Sequence, residues 1–259
     1  MGIEKVCCEI IDQIAIITLN DPKTNNAFSY QLVSELSQAI DEAANSETVR
    51  VVMITGGEKV FAAGGDIEGM LKMSVQEASH YSETVQKVFL KIESLSKPVI
   101  AVIGGPAVGG GCELTLICDL RIASTKAKFG QPEVDLGVMP GAGATKRLTQ
   151  LIGPALAKEM IFTSKLIDAA TAKEIGLVNQ VVEPADLLSE AMKLAKKIAS
   201  KAPLAIRLAK ETINRGLDTD IVSATEYERR GFALLFSSAD RQEGMSAFIE
   251  KRRPNFRGE

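Results

Sequence analysis

The sequence predicts an α/β fold that changes to helices alone in its second half. Short β-branched runs alternate with segments of helical periodicity up to about residue 140, and almost the whole chain beyond that point has helical spacing. The 259 residues are 46% hydrophobic and 24% charged, which is the composition of an ordinary globular protein. We therefore expect one large domain, or one domain with a helical appendage.

Four strands and two helices are predicted in the first half. Apolar residues recur at helical spacing after Ser29, a favoured N-cap, and predict an amphipathic helix over residues 30–44. A second long helix is expected over residues 75–94. Pro98 disfavours helical angles at the preceding residue, so it marks the entry to the next strand. The predicted strands are Val6–Ile11, Ile14–Leu19, Val51–Thr55 and Val99–Ile103.

The second half is predicted to hold one short strand, Leu177–Val182, after a helix over Asp168–Ile175 that Gly176 ends. The segment Ala202–Phe256 has helical periodicity, and its apolar faces are too many for a lone appendage to bury. This pattern indicates an interaction surface. A change of architecture is expected near residues 197–202.

Composition also excludes several classes of protein. The longest apolar runs are far shorter than the roughly 20 residues that a membrane-spanning helix needs. No secretory signal pattern precedes them, so we expect a cytoplasmic protein. The net charge of −3 disfavours a broad nucleic-acid interface. Four cysteines at positions 7, 8, 112 and 118 match no zinc or redox motif, and His80, the one histidine, is expected to be an exposed helix residue.

A glycine-rich run, Gly104–Glu113, follows the apolar strand predicted at Val99–Ile103. Three consecutive glycines at the entrance of a helix each cost about 1 kcal/mol relative to alanine. Two explanations stay open: a ligand approaches the exposed amide groups, or strand and helix pack tightly here. The run does not match the nucleotide-binding glycine motifs.

Two acids stand in apolar surroundings and are candidates for an acid–base pair. Glu113 is flanked by Cys112 and Leu114, and Glu133 lies within the run Phe129–Val134. Partial burial and mutual repulsion separate the proton affinities of two such carboxyl groups. The alternative is a pair of solvated surface glutamates, because a separation of 20 residues along the chain says nothing about distance in space.

A second loop of small residues, Phe61–Ile67, follows the strand predicted at Val51–Thr55. It is either a simple turn or another loop with exposed amides. Two amide-presenting loops together favour carbonyl or thioester chemistry, because a developing oxyanion is commonly held by two donors.

These motifs, in this order and over the whole length, resemble the crotonase (enoyl-CoA hydratase/isomerase) superfamily. The residues that carry the resemblance are Asn26–Phe28, Phe61–Ile67, Lys97–Ala101, Ala107–Leu114, Phe129–Glu133, Pro140–Thr145 and Glu243–Phe248. The resemblance implies a crotonase-like spiral of ββα units in residues 1–196. It also implies a C-terminal helical region, residues 197–259, through which subunits assemble into trimers or hexamers.

The resemblance further implies a site for an acyl-CoA thioester. Glu113 and Glu133 would be the catalytic pair, and the backbone N–H groups of Gly65 and Gly110 would form the oxyanion hole. No cofactor or metal is expected, since coenzyme A is part of the substrate. The expected coenzyme A contacts are Lys59, Ala63, Asp66, Ile67 and, from a neighbouring subunit, Lys251.

Two glutamates at these positions are typical of hydratases, so we expect reversible hydration of a short-chain 2-trans-enoyl-CoA to 3-hydroxyacyl-CoA. Isomerisation, hydration of a cyclic dienoyl-CoA, or a non-catalytic CoA-ester- or RNA-binding role stay open as alternatives. Gly104 and Ser29 depart from the common family pattern, where asparagine is frequent. Asp135 either points into the pocket or faces solvent.

Overall fold

The computed structural model of the chain describes residues 4–259, which form two sheets covered by helices. The six-stranded sheet has the order β1-β2-β3-β4-β6-β9, and the three-stranded sheet has the order β5-β7-β8. The strands are β1 Val6–Ile11, β2 Ile14–Leu19, β3 Val51–Thr55, β4 Val99–Ile103, β5 Ala107–Val108, β6 Leu120–Ser124, β7 Lys128–Gly130, β8 Ile167–Asp168 and β9 Gln180–Val182.

Eleven α-helices within residues 4–259 connect and cover these strands, and short 3₁₀ turns lie at Glu133–Leu136 and Pro184–Asp186. The helices are α1 Tyr30–Asn45, α2 Ile67–Met70, α3 Val75–Glu93, α4 Gly110–Leu116, α5 Ala144–Ile152, α6 Pro154–Phe162, α7 Ala169–Glu174, α8 Leu187–Ala199, α9 Pro203–Gly216, α10 Ile221–Leu235 and α11 Ala239–Ile249.

The large sheet is mostly parallel, and its central strands β3 and β4 are buried on both faces. Only the β1–β2 pair is antiparallel; β2–β3, β3–β4, β4–β6 and β6–β9 are parallel. One face packs on a large apolar cluster that includes α1 and α3, and the other face packs on the small side chains of α8. Burial on both faces explains why β3 and β4 are continuous apolar runs rather than alternating ones.

The four predicted strands of the first half are confirmed with the predicted bounds, and so is the N-cap of α1. The Ser29 side chain accepts a hydrogen bond from the backbone N–H of Leu32. The expected helix over residues 75–94 is α3. A capping box between Ser74 and Glu77 stabilises its N-terminus.

Other expectations for the elements were wrong or incomplete. β6 was missed because its sequence contains Arg121, whose buried guanidinium donates to the backbone carbonyls of Leu177, Thr115 and Cys118. The expectation of a single strand in the second half was also wrong, since the two-residue β8 pairs with β7. β5, β7 and β8 are too short to produce a recognisable period.

Two predicted element boundaries needed correction. The strand expected from Leu177 begins at Gln180, because Leu177 and Val178 are buried in the connection that precedes it. The helix expected to follow the glycine run begins within it, at Gly110.

The last three helices carry many exposed apolar side chains. Neither α9 nor α10 has a fully buried residue, and the side chain of Phe248 on α11 is 85% exposed. Within residues 4–259, no helix combines the length and the apolar character that crossing a membrane requires. Other exposed apolar side chains of these helices are Ile213, Ile221, Val222, Phe232 and Ile249.

Candidate active site

A mostly apolar cavity of about 550 Å³ lies at the carboxyl ends of β3 and β4. Loops that follow neighbouring parallel strands meet at one sheet edge, which brings together the two small-residue loops of the sequence. Two glutamates and two glycines of these loops and their neighbours share the cavity with apolar side chains. Its lining includes Gly65, Gly110, Glu113, Glu133, Phe28, Ile67, Met70, Met73, Tyr81, Val85, Leu136, Val138 and Met139.

The two loops are joined by backbone pairing. Ala62 and Ala107 form a parallel bridge, and the N–H of Val108 donates to the carbonyl of Ala62 at 3.1 Å. Gly110 is the first residue of α4, so its N–H is one of the amides that have no acceptor inside a helix. No hydrogen bond from the N–H of Gly65 is found within residues 4–259. Both glycines line the cavity.

Close packing, one of the two explanations that the sequence left open, accounts for glycines of this run. A Cβ on Gly111 would lie 2.1 Å from the carbonyl oxygen of Ala62, so glycine is required there by close packing. Gly109 has a φ of +54°, and a Cβ on it would lie 2.9 Å from Oε1 of Glu133. Gly110 lines the cavity, and a Cβ on it would lie 2.9 Å from Cδ2 of Phe28.

Glu113 is buried on α4, with 3% of its surface exposed. Its Oε1 accepts hydrogen bonds from the backbone N–H groups of Ala142 at 2.8 Å and Ala144 at 2.9 Å, where α5 begins. Burial raises the pKa of Glu113, while these two N–H groups and the positive charge of Arg147 oppose the rise. The carboxylate form is thus supported on one oxygen only.

A partly buried ion pair supports the loop that binds Glu113. Nε and Nη2 of Arg147 donate to the two carboxylate oxygens of Glu93 at 2.7 and 2.6 Å, and Nη1 donates to the carbonyl of Ala142 at 3.2 Å. Glu93 ends α3 and Arg147 lies on α5, so the pair fixes two distant segments to each other.

Glu133 opens the 3₁₀ turn and is only half-buried. Burial raises its pKa to about 7; a hydrogen bond from its own backbone N–H to the carboxyl group lowers it, and the negative charge of Glu113 raises it further. The side chain of Gln131 is fully buried, and its amide end lies 3.0 and 3.1 Å from the two oxygens of Glu133. The orientation that satisfies both groups directs the NH₂ to the carboxylate.

The structure brings together five of the residues singled out from the sequence: Glu113, Glu133, Gly65, Gly110 and Ile67 all line the cavity. The side chains of Glu113 and Glu133 thus line the same cavity.

Other predicted residues lie around the cavity rather than in it. Asp66 caps α2 through a hydrogen bond from the N–H of Gly69 at 3.2 Å, and Ala63 is exposed next to it. Lys59 and Lys251 are exposed and do not line the cavity. Asp135 is exposed on the 3₁₀ turn. Of the two alternatives for this residue, it therefore faces solvent and does not point into the pocket.

Several residues of this site were missed in the sequence. Gln131 and Arg147 lie inside or beside motifs that were recognised, but nothing in the pattern indicates which atoms they contact. Tyr81 and Phe28 lie 53 residues apart, and only the fold shows that they meet.

Comparison with known proteins agrees with this geometry. The model of the family described as enoyl-CoA hydratase/isomerase matches residues 9–259. The chain belongs to the enoyl-CoA hydratase/isomerase family. The predicted superfamily and the predicted crotonase-like α/β fold class are thereby confirmed, since structures of this family superpose on nearly the whole chain.

Members of this family resemble the chain over its full length. A protein named crotonyl-CoA hydratase from Syntrophomonas wolfei is 46% identical over 257 residues, which cover 99% of each chain. A short-chain-enoyl-CoA hydratase from Clostridium acetobutylicum is 46% identical over 254 residues, covering 98% of this chain and 97% of the relative. The crystal structure of an enoyl-CoA hydratase from Bacillus anthracis has a TM-score of 0.95 at 39% identity and covers 98% of this chain and 100% of its own.

Proposed function

We propose that the chain is an enoyl-CoA hydratase, a hydro-lyase that reversibly adds water to a short-chain 2-trans-enoyl-CoA and forms 3-hydroxyacyl-CoA. The observation that carries the proposal is the meeting of two carboxyl groups, Glu113 and Glu133, with two amide-bearing glycines in one apolar cavity. The 46% identity to relatives named crotonyl-CoA hydratase and short-chain-enoyl-CoA hydratase supports a short acyl chain.

In this proposal Glu113 is the general base. Its Oε1 is occupied by two backbone N–H groups, which leaves Oε2 to accept a hydrogen bond from the attacking water. As the water oxygen bonds to C3, its proton passes to Glu113. The same N–H groups stabilise the carboxylate that must be present before the step.

Glu133 is the general acid and delivers a proton to C2. A pKa of about 7 suits a group that gives up and regains a proton near neutral pH. Because dehydration is the reverse reaction, the two groups then exchange roles: Glu133 removes the C2 proton and Glu113 protonates the leaving hydroxyl.

The amides of Gly65 and Gly110 bind the thioester oxygen and stabilise the enolate that forms between the two proton transfers. Fixed amide donors in an apolar cavity stabilise developing charge without reorganisation, and losing one such donor costs on the order of 3 kcal/mol in transition-state stabilisation. The thioester itself acidifies C2, so this chemistry requires no cofactor or metal.

The bound coenzyme A is proposed to lie along Ala63, Asp66 and Ile67, with Lys59 near its phosphates. Ile67 lines the cavity and the other three lie at or near its entrance loop. Lys251 is proposed to reach the phosphates from a neighbouring subunit. The acidic net charge of −3 argues against a nucleic-acid partner. We also propose a cytoplasmic location.

The apolar faces of α9–α11 are proposed to pack subunits into a homotrimer or homohexamer. Exposed side chains such as Phe248, Ile249 and Phe232 form more apolar surface than a monomer commonly leaves in water. The helical region from residue 197 onward is thus proposed as the assembly unit, and residues 1–196 as the core that holds the site.

The test is the hydration of crotonyl-CoA. The reaction is monitored through the loss of the conjugated enoyl-thioester absorbance, and the product is then analysed. Glu113→Gln and Glu133→Gln should each suppress turnover while circular dichroism stays unchanged. Asp135→Asn is the matched control, since this neighbouring acid is exposed outside the cavity. Full hydration by either glutamine variant would contradict the assigned roles.

A panel of substrates separates the remaining alternatives. Formation of a shifted double bond would indicate an isomerase, and turnover restricted to cyclic dienoyl-CoA esters would indicate a different hydratase. Absence of turnover on short, medium, branched and cyclic enoyl-CoA esters would favour a non-catalytic CoA-ester- or RNA-binding protein.

A further inference from the structure

Tyr81 is a buried residue of the cavity wall that takes no part in the proton transfers described above. It lies on α3 and is 9% exposed. Its hydroxyl group donates a hydrogen bond to the backbone carbonyl oxygen of Phe28 at 2.7 Å. The bond is buried and joins two segments 53 residues apart in the chain.

Phe28, the acceptor of this bond, contacts both amide-bearing loops. Its N–H donates to the carbonyl of Gly64 at 2.7 Å, and Phe28 pairs with Gly65 in a parallel bridge. Its ring lies against the other loop, where a Cβ on Gly110 would be 2.9 Å from Cδ2 of Phe28. One residue thus contacts Gly65 through its backbone and Gly110 through its side chain.

Tyr81 also lies close to Gly65 itself. A Cβ on Gly65 would be 3.6 Å from the Tyr81 hydroxyl oxygen. The two aromatic rings have fixed orientations, because Phe28 makes an edge contact with Phe89 and Tyr81 makes an edge contact with Tyr30, each with centroids 5.6 Å apart. The hydroxyl group and the carbonyl it binds are therefore held by surrounding packing.

We propose that Tyr81 is a positioning residue which, through Phe28, holds the N–H groups of Gly65 and Gly110 at the separation that binds a thioester oxygen. The inference rests on the proposed function and adds a residue to it. Because the hydrogen bonds to an oxyanion depend steeply on donor placement, a small displacement of either loop weakens carbonyl polarisation and lowers kcat.

The Tyr81 hydroxyl keeps its proton over the working range of the enzyme. Burial raises the pKa of Tyr81 to about 12, an effect that the backbone of Asp66 opposes and that the nearby Asp66, Tyr30 and Glu113 side chains reinforce. The donor is therefore present at every pH at which the glutamates act. Its loss should lower kcat by the same factor from acidic to alkaline pH.

The first test compares Tyr81→Phe with the wild type, since this change removes one oxygen and keeps the ring. We expect kcat for crotonyl-CoA to fall on the order of 10-fold with KM changed less than about 3-fold. Tyr30→Phe is the matched control, because it keeps the ring that contacts Tyr81 and removes only a hydroxyl group from a residue that is 46% exposed and outside the cavity lining. It should retain wild-type turnover.

The deciding readout is the infrared stretching frequency of a ¹³C-labelled thioester carbonyl in bound butyryl-CoA, a saturated ester that cannot be hydrated. The wild type should lower this frequency relative to free butyryl-CoA, and Tyr81→Phe should return it part of the way. A purely structural role would not change it. Wild-type frequency in folded Tyr81→Phe, with or without a loss of turnover, would overturn the proposal.

Phe28→Leu provides a second, independent variant. It keeps both backbone pairings but removes the ring from Gly110, so the same partial return of the carbonyl frequency is expected. If circular dichroism shows that Tyr81→Phe does not fold, Phe28→Leu becomes the deciding variant. An unchanged carbonyl frequency in Phe28→Leu then overturns the proposal. Failure of the wild type to hydrate crotonyl-CoA would instead contradict the proposed function and is a separate outcome.

Discussion

The two glutamates of the cavity differ most in what surrounds them. Glu113 lies on a helix, is almost fully buried, accepts two backbone N–H bonds and has the Arg147 charge behind its loop. Glu133 lies on a 3₁₀ turn, is half-buried, and has the negative Glu113 as its charged neighbour. Burial raises the pKa of both groups, but backbone N–H groups and the charge of Arg147 oppose the rise at Glu113, whereas the charge of Glu113 adds to it at Glu133.

The difference bears on the proposed roles, in which one residue type supplies both a base and an acid. Hydrogen bonds and a positive charge favour an ionised carboxyl group, whereas desolvation and a negative neighbour favour a protonated one. We infer that the division of labour between Glu113 and Glu133 is set by the α5 entrance and the Arg147–Glu93 pair, and not by the glutamates themselves.

The largest effect is expected when the pair is removed altogether. Each single glutamine variant should lower kcat by roughly 10²- to 10⁴-fold, which is the usual contribution of a positioned proton transfer. If the two carboxyl groups act in one concerted unit, the Glu113→Gln/Glu133→Gln double variant will be little worse than the poorer single variant. Steady-state kinetics on all three proteins measure this, and fully multiplicative losses would show that the groups act independently.

The second effect is the pH dependence of hydration. The proton donor must be protonated in the free enzyme, and the pKa of Glu133 is raised to about 7. The hydration kcat/KM should therefore fall about tenfold for each pH unit above roughly 7. A profile that stays flat between pH 7 and 9 would show that the group controlling this limb is not Glu133.

A smaller effect is expected when the positive charge near Glu113 is removed and Glu113 itself is kept. Arg147→Gln removes the positive charge that favours the Glu113 carboxylate, so its pKa should rise further and the acidic limb of the profile should move to higher pH. We expect kcat/KM at pH 7 to fall on the order of 10-fold.

Lys146→Gln is the control for this change, because Lys146 is exposed and pairs with Asp218 instead. If Arg147→Gln shifted the acidic and the alkaline limb of the kcat/KM profile equally, the charge of Arg147 would not act on Glu113 in preference to Glu133.

The smallest predicted effect is on stability. The folded-state pKa of Glu133 lies above its unfolded value near 4.3, so the folded protein binds the extra proton between these pH values and loses stability as pH rises through that window. Glu133→Gln should be more stable than the wild type at pH 8 by on the order of 1 kcal/mol, after allowing for solvent screening. At pH 4 the gain should vanish. Urea unfolding at both pH values measures the difference.

The sequence predicted the parts of the fold whose residues face one environment along their whole length. β3 and β4 are continuous apolar runs because both faces of the sheet are covered, and their bounds were predicted correctly. β6 was missed because one buried arginine, bonded to three carbonyls, interrupts the apolar pattern. β5, β7 and β8 exist through pairing with distant segments and have no signal of their own.

For the candidate site, the sequence predicted which residues to consider but not how they meet. Glu113 and Glu133 were singled out by their apolar surroundings and by family motifs, and the roles assigned to them stay predictions. Their supports are contacts between distant segments, such as Arg147 with Glu93 across 54 residues and Tyr81 with Phe28 across 53. No spacing rule within a local window contains such pairs.

The most direct measurement of the division between the two glutamates is the titration of Glu133 itself. Carboxyl ¹³C NMR of glutamate-labelled protein, with Glu133→Gln to assign the signal, follows this group without relying on turnover. We predict that the Glu133 signal titrates with a midpoint near 7 and disappears in the variant. A midpoint near the ordinary glutamate value of about 4.3 would contradict the claim that its surroundings make it the proton donor.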